Sequence, residues 1–259
     1  MRATLTLFLI PLIFLSCGPG KTENGSDAKA ASIVMEAIKS YGGDTYENIQ
    51  IEFDFRDRSY GILKKNGDYI YARIHADSVF VHDLLSNEGF SRKTDGNPTE
   101  VSDEMKGKYT NSINSVVYYA LLPYGLETPA AVKEYLGESK IKGKNYHKIK
   151  VTFKEEGGGV DYEDEYVFWF EKNTYSMDYF AYAYKSEGGG TRFRAAVNKR
   201  TINGITFQDY INYKGEDSFA PVDNIEERYL KDELEEISRI ELKGIKVTSP
   251  KVPSKTFTE

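Results

Sequence analysis

The sequence predicts a mainly β protein of the α+β class, in which antiparallel strands are covered by helices. Tyrosine is frequent, with 20 residues beside 14 phenylalanines, and aromatic side chains favour strands. Residues 165–213 repeat an aromatic-rich strand pattern that is broken each time by turn residues. Elsewhere, apolar residues at helical spacing predict the covering helices.

The first helical pattern lies at Ala28–Tyr41, and Gly42 with Gly43 follows it as a C-terminal cap signal. The second lies at residues 105–121, where Ser102 is placed to cap its start and Pro123 ends it. We expect the second helix to pack on the apolar face of the sheet.

Alternating apolar patterns predict further strands on either side of the central stretch. They lie at residues 48–55, 59–63, 68–74, 78–84, 89–93, 132–136 and 145–153, followed after the centre by a short helix or loop at 224–231 and a closing strand at 234–247. Asn203 and Gly204 suit the positive φ angles of a type I′ turn. No repeat or linker divides the chain, so we expect one domain.

Side chains alternate between the two faces of a strand, which predicts an apolar face and a mixed face for the central stretch. The apolar face carries Phe168, Phe170, Met177, Tyr179, Phe193 and Phe207. The mixed face carries Tyr182, Tyr184, Arg192, Arg194 and Tyr210. We expect the apolar face to meet the helices and the mixed face to meet water.

Charge and cysteine content exclude several classes of function. The formal net charge is −6 and the isoelectric point about 5.4, so the chain lacks the basic footprint of a nucleic-acid-binding protein. The chain has 1 cysteine, Cys17, which permits neither an internal disulfide nor a multi-cysteine metal site. We predict no nucleic-acid partner and no cofactor.

The amino terminus carries the most specific signal. Residues 1–16 combine Arg2 with an apolar stretch too short to span a bilayer, which predicts a secretory signal peptide. The stretch ends at Cys17 in a sequence that resembles a bacterial lipobox, where the signal is cut and the cysteine receives lipid. The alternative is an ordinary signal peptide with an incidental cysteine.

From the lipobox we expect an envelope protein that is anchored by lipid at the periplasmic face of the outer membrane. A flexible tether at residues 17–29 would then precede the folded domain at 30–247 and a carboxyl-terminal tail at 248–259.

Candidate catalytic and metal-binding groups have simpler structural explanations. The acidic residues Asp161, Glu163 and Glu165 lack calcium-loop spacing and fit a solvated hairpin shoulder. The histidines lack zinc-ligand spacing; they are His75, His82 and His147. The sequence contains no nucleophile elbow and no phosphate-binding loop. We predict no metal site and no enzyme activity.

Arg192 and Arg194 allow two interpretations. Together with nearby tyrosines they could bind an anionic or sugar-like ligand through ion pairing and stacking. Alternatively, they form a surface ladder of charge pairs with Asp178 and Glu171. We favour the surface ladder, because cross-strand charge pairs are common.

Sequence elements that resemble a known family are Tyr175-Ser-Met-Asp-Tyr, Arg192-Phe-Arg and Asn203-Gly-Ile-Thr-Phe-Gln-Asp-Tyr. With the lipobox and the two helical patterns, they resemble a family of uncharacterised envelope lipoproteins in the LolA/LolB-like superfamily of lipoprotein localisation factors, over residues 30–247. The resemblance implies an unclosed antiparallel half-barrel whose concave face is covered by helices. In the carriers of that superfamily, the space between sheet and helices takes up acyl chains.

The first functional hypothesis is a membrane-anchored lipoprotein that binds a lipid or acyl-chain ligand in the half-barrel, with Cys17 as the lipidation site. The predicted ligand-binding residues are Phe168, Phe170, Met177, Tyr179, Phe193, Phe207, Tyr109 and Ile113. The structural alternative is a closed core, since close packing is the default for apolar faces. The second hypothesis is a non-catalytic interaction or sensory lipoprotein that holds an envelope protein partner on its tyrosine-rich mixed face.

Overall fold

The computed structural model describes residues 21–22, 25–159, 162–185, 188–215, 221–250 and 255–258. The helices are α1 (Ala28–Tyr41), α2 (Asp103–Ala120), α3 (Ile225–Leu230) and α4 (Lys255–Thr258). The strands are β1 (Asn48–Phe55), β2 (Arg58–Lys65), β3 (Asp68–Ala76), β4 (Phe80–Ser86), β5 (Gly89–Thr94), β6 (Asn97–Pro98), β7 (Ala131–Ile141), β8 (Lys144–Phe153), β9 (Glu165–Glu171), β10 (Met177–Tyr184), β11 (Gly190–Ile202), β12 (Ile205–Gly215), β13 (Leu234–Ile240) and β14 (Lys243–Thr248).

The strands form two antiparallel sheets. The first sheet has the order β14-β1-β2-β3-β4-β5-β6, and the second has the order β13-β12-β11-β10-β9-β8-β7. Asn203 and Gly204 have φ angles of 45° and 89°, as the predicted type I′ turn requires. Among the described residues, the outer strands β6 and β7 do not pair with each other, so the sheets do not close into a barrel. The predicted mainly β class is confirmed.

The chain passes between the sheets at Leu242, where the sequence predicts one continuous closing strand. The Leu242 N–H donates to Asp209 Oδ1 at 3.0 Å instead of a ladder carbonyl, which ends β13. Arg200 donates to the same carboxylate oxygen at 3.0 Å and to the Leu242 carbonyl at 2.6 Å. The chain thereby leaves its pairing with β12 and begins to pair with β1.

Helix α1 covers the inner face of the second sheet, the face beneath α1 and α2. Its buried residues recur at the spacing of one helical face: Ala30, Ile33, Val34, Ala37, Ile38 and Tyr41. Tyr41 fixes the end of the helix, because its hydroxyl donates to Gln208 Oε1 at 2.7 Å and accepts from the Met177 N–H at 3.1 Å. The helix predicted at Ala28–Tyr41 is confirmed.

Helix α2 contacts both sheets. The Ser102 hydroxyl caps its start by accepting from the Met105 N–H at 3.4 Å, as predicted. Val117 packs in a cluster with residues of the first sheet. Tyr119 stacks on Phe180 of the second sheet, with the ring centroids 5.9 Å apart. The helix therefore covers the junction between the sheets.

Both faces of the second sheet are apolar, which corrects the face assignment predicted from the sequence. A β-bulge between Met177 and Tyr179 inserts one residue, so Met177 pairs with Phe170 but Tyr179 pairs with Trp169. Tyr179 and Phe193 consequently lie on the outer face, in a cluster with residues of α3. The strand alternation was predicted without this bulge, and the assignment is wrong beyond it.

The carboxyl-terminal segment contacts the first sheet, where the sequence predicts a tail. Phe257 of α4 is buried against Gly61, whose lack of a side chain leaves space for the ring. The His82 Nε2 atom lies 2.9 Å from the Thr256 carbonyl oxygen. These contacts attach the segment to β2 and β4.

Candidate functional site

A cavity of about 190 Å³ lies beneath α2, where the two sheets meet. Helix α2 contributes Ser115, Val116, Tyr119 and Ala120, at the i, i+4 spacing of one face. The strands and their connections contribute Phe55, Arg56, Arg194, Gln208, Tyr210, Asn212, Ser238, Ile240 and Leu242. A cavity of about 150 Å³ accepts a benzene ring, so this one has room for a small ring or a short acyl segment.

Arg194 lies in the wall of this cavity because of the register of the second sheet. One cross-strand row from β9 to β13 contains Phe168, Phe180, Arg194, Asn212 and Ser238. The Cβ atoms of directly opposed residues lie about 4.5–5.5 Å apart, so these side chains are neighbours. The row changes from apolar to polar across the sheet, and Arg194 lies at the boundary.

The Arg194 guanidinium is buried and only partly paired, with 7 % of the residue exposed. Its Nη2 atom donates to the Tyr182 hydroxyl at 3.0 Å. Among the described residues, its Nε and Nη1 atoms have no hydrogen-bond partner, and neither has Oδ1 of the adjacent Asn212. The Asn212 amide nitrogen donates to Ser238 Oγ at 3.1 Å. Arg194 and Asn212 both line the cavity, so its wall contains polar groups with unused hydrogen-bonding capacity.

Aromatic rings surround the Arg194 guanidinium. Its central carbon lies 4.3 Å from the ring centroid of Tyr119, 5.1 Å from that of Tyr182 and 5.3 Å from that of Phe180. Cation–π contacts contribute roughly 0.5–2 kcal/mol each. They reduce the cost of burying the charge, but they offer no acceptor to the free N–H groups in the way that a carboxylate does.

The electrostatics of the cavity favour an anion. Its lining includes two arginines, the buried Arg194 and the exposed Arg56, and no aspartate or glutamate among the described residues. Buried arginines are normally paired with an acid. The buried charge of Arg194 therefore lies in the wall of a space that lacks a described counter-charge.

A second buried arginine shows the opposite arrangement. Arg73 and Arg92 each bind Asp83 at 2.6 Å, and Arg73 also donates to Ser112 of α2 at 2.9 Å. The side chain of Asp83 is fully buried and that of Arg73 is 2 % exposed. Arg92 lies 3.8 Å from the ring centroid of Tyr109. This cluster, beneath the amino-terminal half of α2, carries its own counter-charge.

A wider groove of about 920 Å³ adjoins the cavity along α2 and shares Ser115 and Tyr119 with it. Tyrosines dominate its lining: Tyr69, Tyr71, Tyr118, Tyr119, Tyr166, Tyr182 and Tyr184. Burial raises the pKa of Tyr118 and Tyr119 well above the usual phenol value and that of Tyr71 to about 12, so these hydroxyls are neutral at pH 7. The groove combines aromatic surface and neutral hydroxyls with two charged side chains, Asp164 and Arg192.

Most of the chain, residues 6–242, matches the model of a family described as a family of unknown function, DUF6503. The chain belongs to this family. No curated protein matches the DUF6503 chain. In the ranges that the structure describes, its helices are all too short or too polar to cross a membrane.

Solved structures resemble the DUF6503 chain over most of its length. A DUF1329 family protein from Desulfovibrio piger has 11 % identity and a TM-score of 0.48, and the match covers 89 % of this chain and 97 % of that one. A LolA superfamily protein from Nitrosomonas europaea has 14 % identity and a TM-score of 0.47, with 89 % and 97 % covered. An outer membrane lipoprotein-sorting protein domain from Vibrio parahaemolyticus has 9 % identity and a TM-score of 0.44, with 88 % and 94 % covered.

The DUF6503 fold distributes the predicted ligand-binding residues over several places. Phe168, Phe170 and Met177 pack with α1, Tyr179 and Phe193 pack with α3, Phe207 and Ile113 pack with the first sheet, and Tyr109 stacks on Phe90. All of these residues are described, and none of them lines the cavity or the groove. Their contact with a ligand stays a prediction.

The surface-ladder interpretation of Arg192 and Arg194 is wrong for the DUF6503 chain. Asp178 instead pairs with Lys144 at 3.2 Å, and Glu171 accepts hydrogen bonds from the turn that follows it. The face predicted to meet water turns inward beneath α2, whose Tyr119 contacts Phe180 and Arg194, and α3 covers the opposite face. Sequence reasoning also missed the polar lining residues Ser115, Asn212 and Ser238, because isolated serines and amides carry no motif.

Cys17, the predicted lipidation site, and Asp161, part of the predicted acidic hairpin shoulder, lie outside the described residues of the DUF6503 chain. The acidic neighbours of Asp161 pair with lysines: Glu163 with Lys185 at 3.4 Å and Glu165 with Lys150 at 2.8 Å. Over the described ranges, no group of three or more His, Cys, Asp and Glu side chains is placed to hold a metal ion.

Proposed function

We propose that the protein is an envelope lipoprotein that binds a lipid or another apolar ligand in the cavity beneath α2. The observation that carries this proposal is the mostly apolar wall of the cavity, which includes Phe55, Val116, Ala120, Ile240 and Leu242. A concave and mostly apolar space with a few placed polar groups is typical of small-molecule sites.

The cavity differs from the packed core beside it. Phe168, Phe170 and Phe180 are fully buried, and their rings stack on one another at centroid distances of 5.6–6.2 Å. Protein interiors leave few voids larger than a water molecule, whereas about 190 Å³ exceeds the volume of several waters. The ligand space in this proposal is therefore the gap next to the phenylalanine stack and not the stack itself.

The proposal assigns a binding role and no catalysis. Among the described residues, the lining includes the hydroxyls of Ser115 and Ser238 but no histidine, aspartate, glutamate or cysteine beside them. A serine nucleophile needs an adjacent base, and none is described at this position. We therefore expect purified protein to bind amphiphiles without hydrolysing them.

Membrane anchoring through Cys17 is supported by the amino-terminal sequence. A cysteine with several acyl chains gives stable attachment, whereas one chain gives marginal attachment. In cells fed labelled palmitate, the full chain should carry label, and Cys17→Ser should lose it. Equal labelling of the variant would overturn the anchor.

A photoreactive fatty acid, incorporated into the lipids of cells that produce the full chain, tests the ligand site. Irradiation should attach lipid to the peptides that contain Val116 and Ile240, and mass spectrometry of the digested protein locates the adducts. Val116→Trp fills the cavity and should reduce labelling at Ile240. Met35→Trp is the matched control, because Met35 is 54 % exposed on α1. Absence of adducts from both peptides would overturn the proposal.

A further inference from the structure

The Arg194 guanidinium places a positive charge in the wall of the cavity, and no acidic residue among the described lining residues balances it. Its Nε hydrogen and both of its Nη1 hydrogens lack an acceptor in the described part of the chain, although the residue is only 7 % exposed. Burial of an unpaired charge is costly, and native proteins normally pair such groups. Sites that break this rule are often functional.

We propose that the cavity binds a carboxylic acid with an apolar tail, and that the carboxylate pairs with Arg194. The inference rests on the proposed function and narrows the ligand from apolar molecules in general to amphiphilic carboxylates. The carboxylate oxygens accept from the free N–H groups of Arg194. The tail lies along the apolar wall at Val116, Ile240 and Leu242.

Asn212 completes the polar end of this site. It lies directly opposite Arg194 in the ladder, and its Oδ1 has no described partner while its amide nitrogen donates to Ser238. Rotation of the amide by half a turn exchanges the two groups. The nitrogen then donates to the bound carboxylate, and the Ser238 hydroxyl donates to Oδ1, so every group at this end of the site gains a partner.

Gln208 does not bind the acid in this proposal, because its own amide group already has hydrogen-bond partners. The acid is bound by Arg194 and Asn212. Its oxygen accepts from the Tyr41 hydroxyl at 2.7 Å, and its nitrogen donates to the Met177 carbonyl and the Tyr210 hydroxyl at 2.9 Å each. The polar groups of the cavity thus divide into a satisfied set and an unsatisfied set. The unsatisfied set is the adjacent pair Arg194 and Asn212.

The charge balance favours a carboxylate over a phosphate. A carboxylate carries one negative charge, which one buried guanidinium neutralises. A phosphate monoester carries about 1.5–2 negative charges at pH 7, and the other lining arginine, Arg56, is exposed to solvent and screened. The rings of Tyr119 and Phe180 also hold the planar guanidinium, and a planar group suits a carboxylate.

Calorimetric titration of the full chain in a neutral detergent tests the proposal with sodium octanoate, 1-octanol and octyl phosphate. Hydrogen bonds to charged groups are the stronger kind, so octanoate should bind roughly tenfold or more tightly than octanol. Octanoate should also bind more tightly than octyl phosphate. If octyl phosphate binds more tightly, the choice of carboxylate is overturned.

The titration with 1-octanol shows whether a negative result contradicts the acid site alone or also the proposed apolar-ligand function. If octanol and octanoate bind with equal affinity, the acid site is overturned and the apolar-ligand function stands. If none of the three probes binds, both are overturned.

Two variants test the unpaired charge of Arg194, one by removing it and the other by supplying a counter-charge. Arg194→Met deletes the charge, and Asn212→Asp places a permanent carboxylate opposite it. Both should lower the affinity for octanoate to about that for octanol. Arg239→Met is the matched control, because Arg239 pairs with Glu236 at the surface of β13 at 2.8 Å, and it should keep the wild-type ratio. A preference for octanoate that persists in a folded Arg194→Met or Asn212→Asp protein would overturn the proposal.

Discussion

Two buried arginines lie beneath α2, and they differ in what balances their charge. Arg73, on the first sheet, binds the carboxylate of Asp83 at 2.6 Å and the hydroxyl of Ser112. Arg194, on the second sheet, donates to the Tyr182 hydroxyl and otherwise meets aromatic rings. Burial is similar at the two positions, so burial alone does not separate a structural charge from a functional one. The two arginines differ in whether a described acidic side chain pairs with the guanidinium.

The difference also changes the expected cost of each residue to stability. A buried charge with its partner is strongly destabilising to break, because the remaining partner is left unpaired. A buried charge without a partner already reduces stability, so its removal relieves that cost. Substitutions of the two arginines by an apolar residue should therefore change stability with opposite signs.

The largest effect is expected at the paired cluster. Asp83→Ala leaves the buried Arg73 and the half-buried Arg92 without their counter-charge, which should lower the free energy of unfolding by about 3–5 kcal/mol. Urea denaturation followed by circular dichroism measures the change. Glu138→Ala is the control, because it removes an exposed pair with Lys172 and should change stability little. Similar losses in both variants would contradict the structural role of the cluster.

The next largest change in the free energy of unfolding is expected when the Tyr41 hydroxyl, which contacts the second sheet near Arg194, is removed. Tyr41→Phe leaves Gln208 Oε1 and the Met177 N–H buried without this partner, which should cost about 1–3 kcal/mol. Tyr69→Phe is the control, because no described hydrogen bond involves the Tyr69 hydroxyl. We expect a clear loss of unfolding free energy for Tyr41→Phe and almost no loss for Tyr69→Phe. Equal midpoints of urea unfolding would show that Gln208 does not depend on α1.

Local signals made much of the fold predictable from the sequence. The period of apolar residues and the glycines after Tyr41 place α1, and the Ser102 cap places the start of α2. Asn203 and Gly204 place a hairpin in the same way. Each of these features depends on neighbours within a few residues, and the chain alone contains them.

The site was not predictable by the same means. One extra residue at Asp178 reverses the alternation of β10, and no residue type announces such a bulge. The burial of Arg194 further depends on α2, because the ring centroid of Tyr119 lies 4.3 Å from the guanidinium carbon, and this helix comes from residues 103–120, far from Arg194 along the chain. The alternation pattern in the sequence therefore predicted that Arg194 is exposed to solvent and that the tyrosines beside it form a docking surface.

This correction also weakens the argument for a protein partner. The tyrosine-rich face that motivated the interaction hypothesis includes Tyr210, which is buried in the cavity wall, and Tyr182, which lines the groove along α2. Interface enrichment of tyrosine and arginine applies to exposed residues. On this face, the same residue types support a ligand site instead.

A smaller effect of opposite sign is expected at the unpaired arginine. Arg194→Met replaces the charge with an apolar side chain of similar length, which should raise the free energy of unfolding of the unliganded protein by up to about 1 kcal/mol. Arg73→Met should lower it, and urea denaturation of the two variants side by side measures both signs. A loss of stability at Arg194 as large as that at Arg73 would mean that the aromatic rings alone satisfy the cation.

The smallest effect tests a third way to bury a charge, in which neutral donors replace a cation. The Glu171 carboxylate accepts from the N–H groups of Asn173 and Thr174 and from both of their side chains. Burial raises the pKa of this carboxyl, but the hydrogen bonds from Thr174 and Asn173 together lower it more, and the pKa of the folded state lies below the usual 4.5.

Because the folded-state pKa is the lower one, the unfolded chain binds the proton more readily. The stabilisation is complete above the usual pKa and is lost as the pH falls through the folded-state value. Glu171→Gln should therefore lower the melting temperature slightly at pH 7, and its difference from wild type should shrink between about pH 5 and pH 3. Thermal melts at both ends of this range measure it, and a difference that is constant with pH would contradict the assignment. Glu171 is stabilised by neutral donors of the turn that follows it, whereas a carboxylate beside Arg194 would be stabilised by the guanidinium charge itself. A free acid ligand can therefore bind at Arg194 without a turn to hold it.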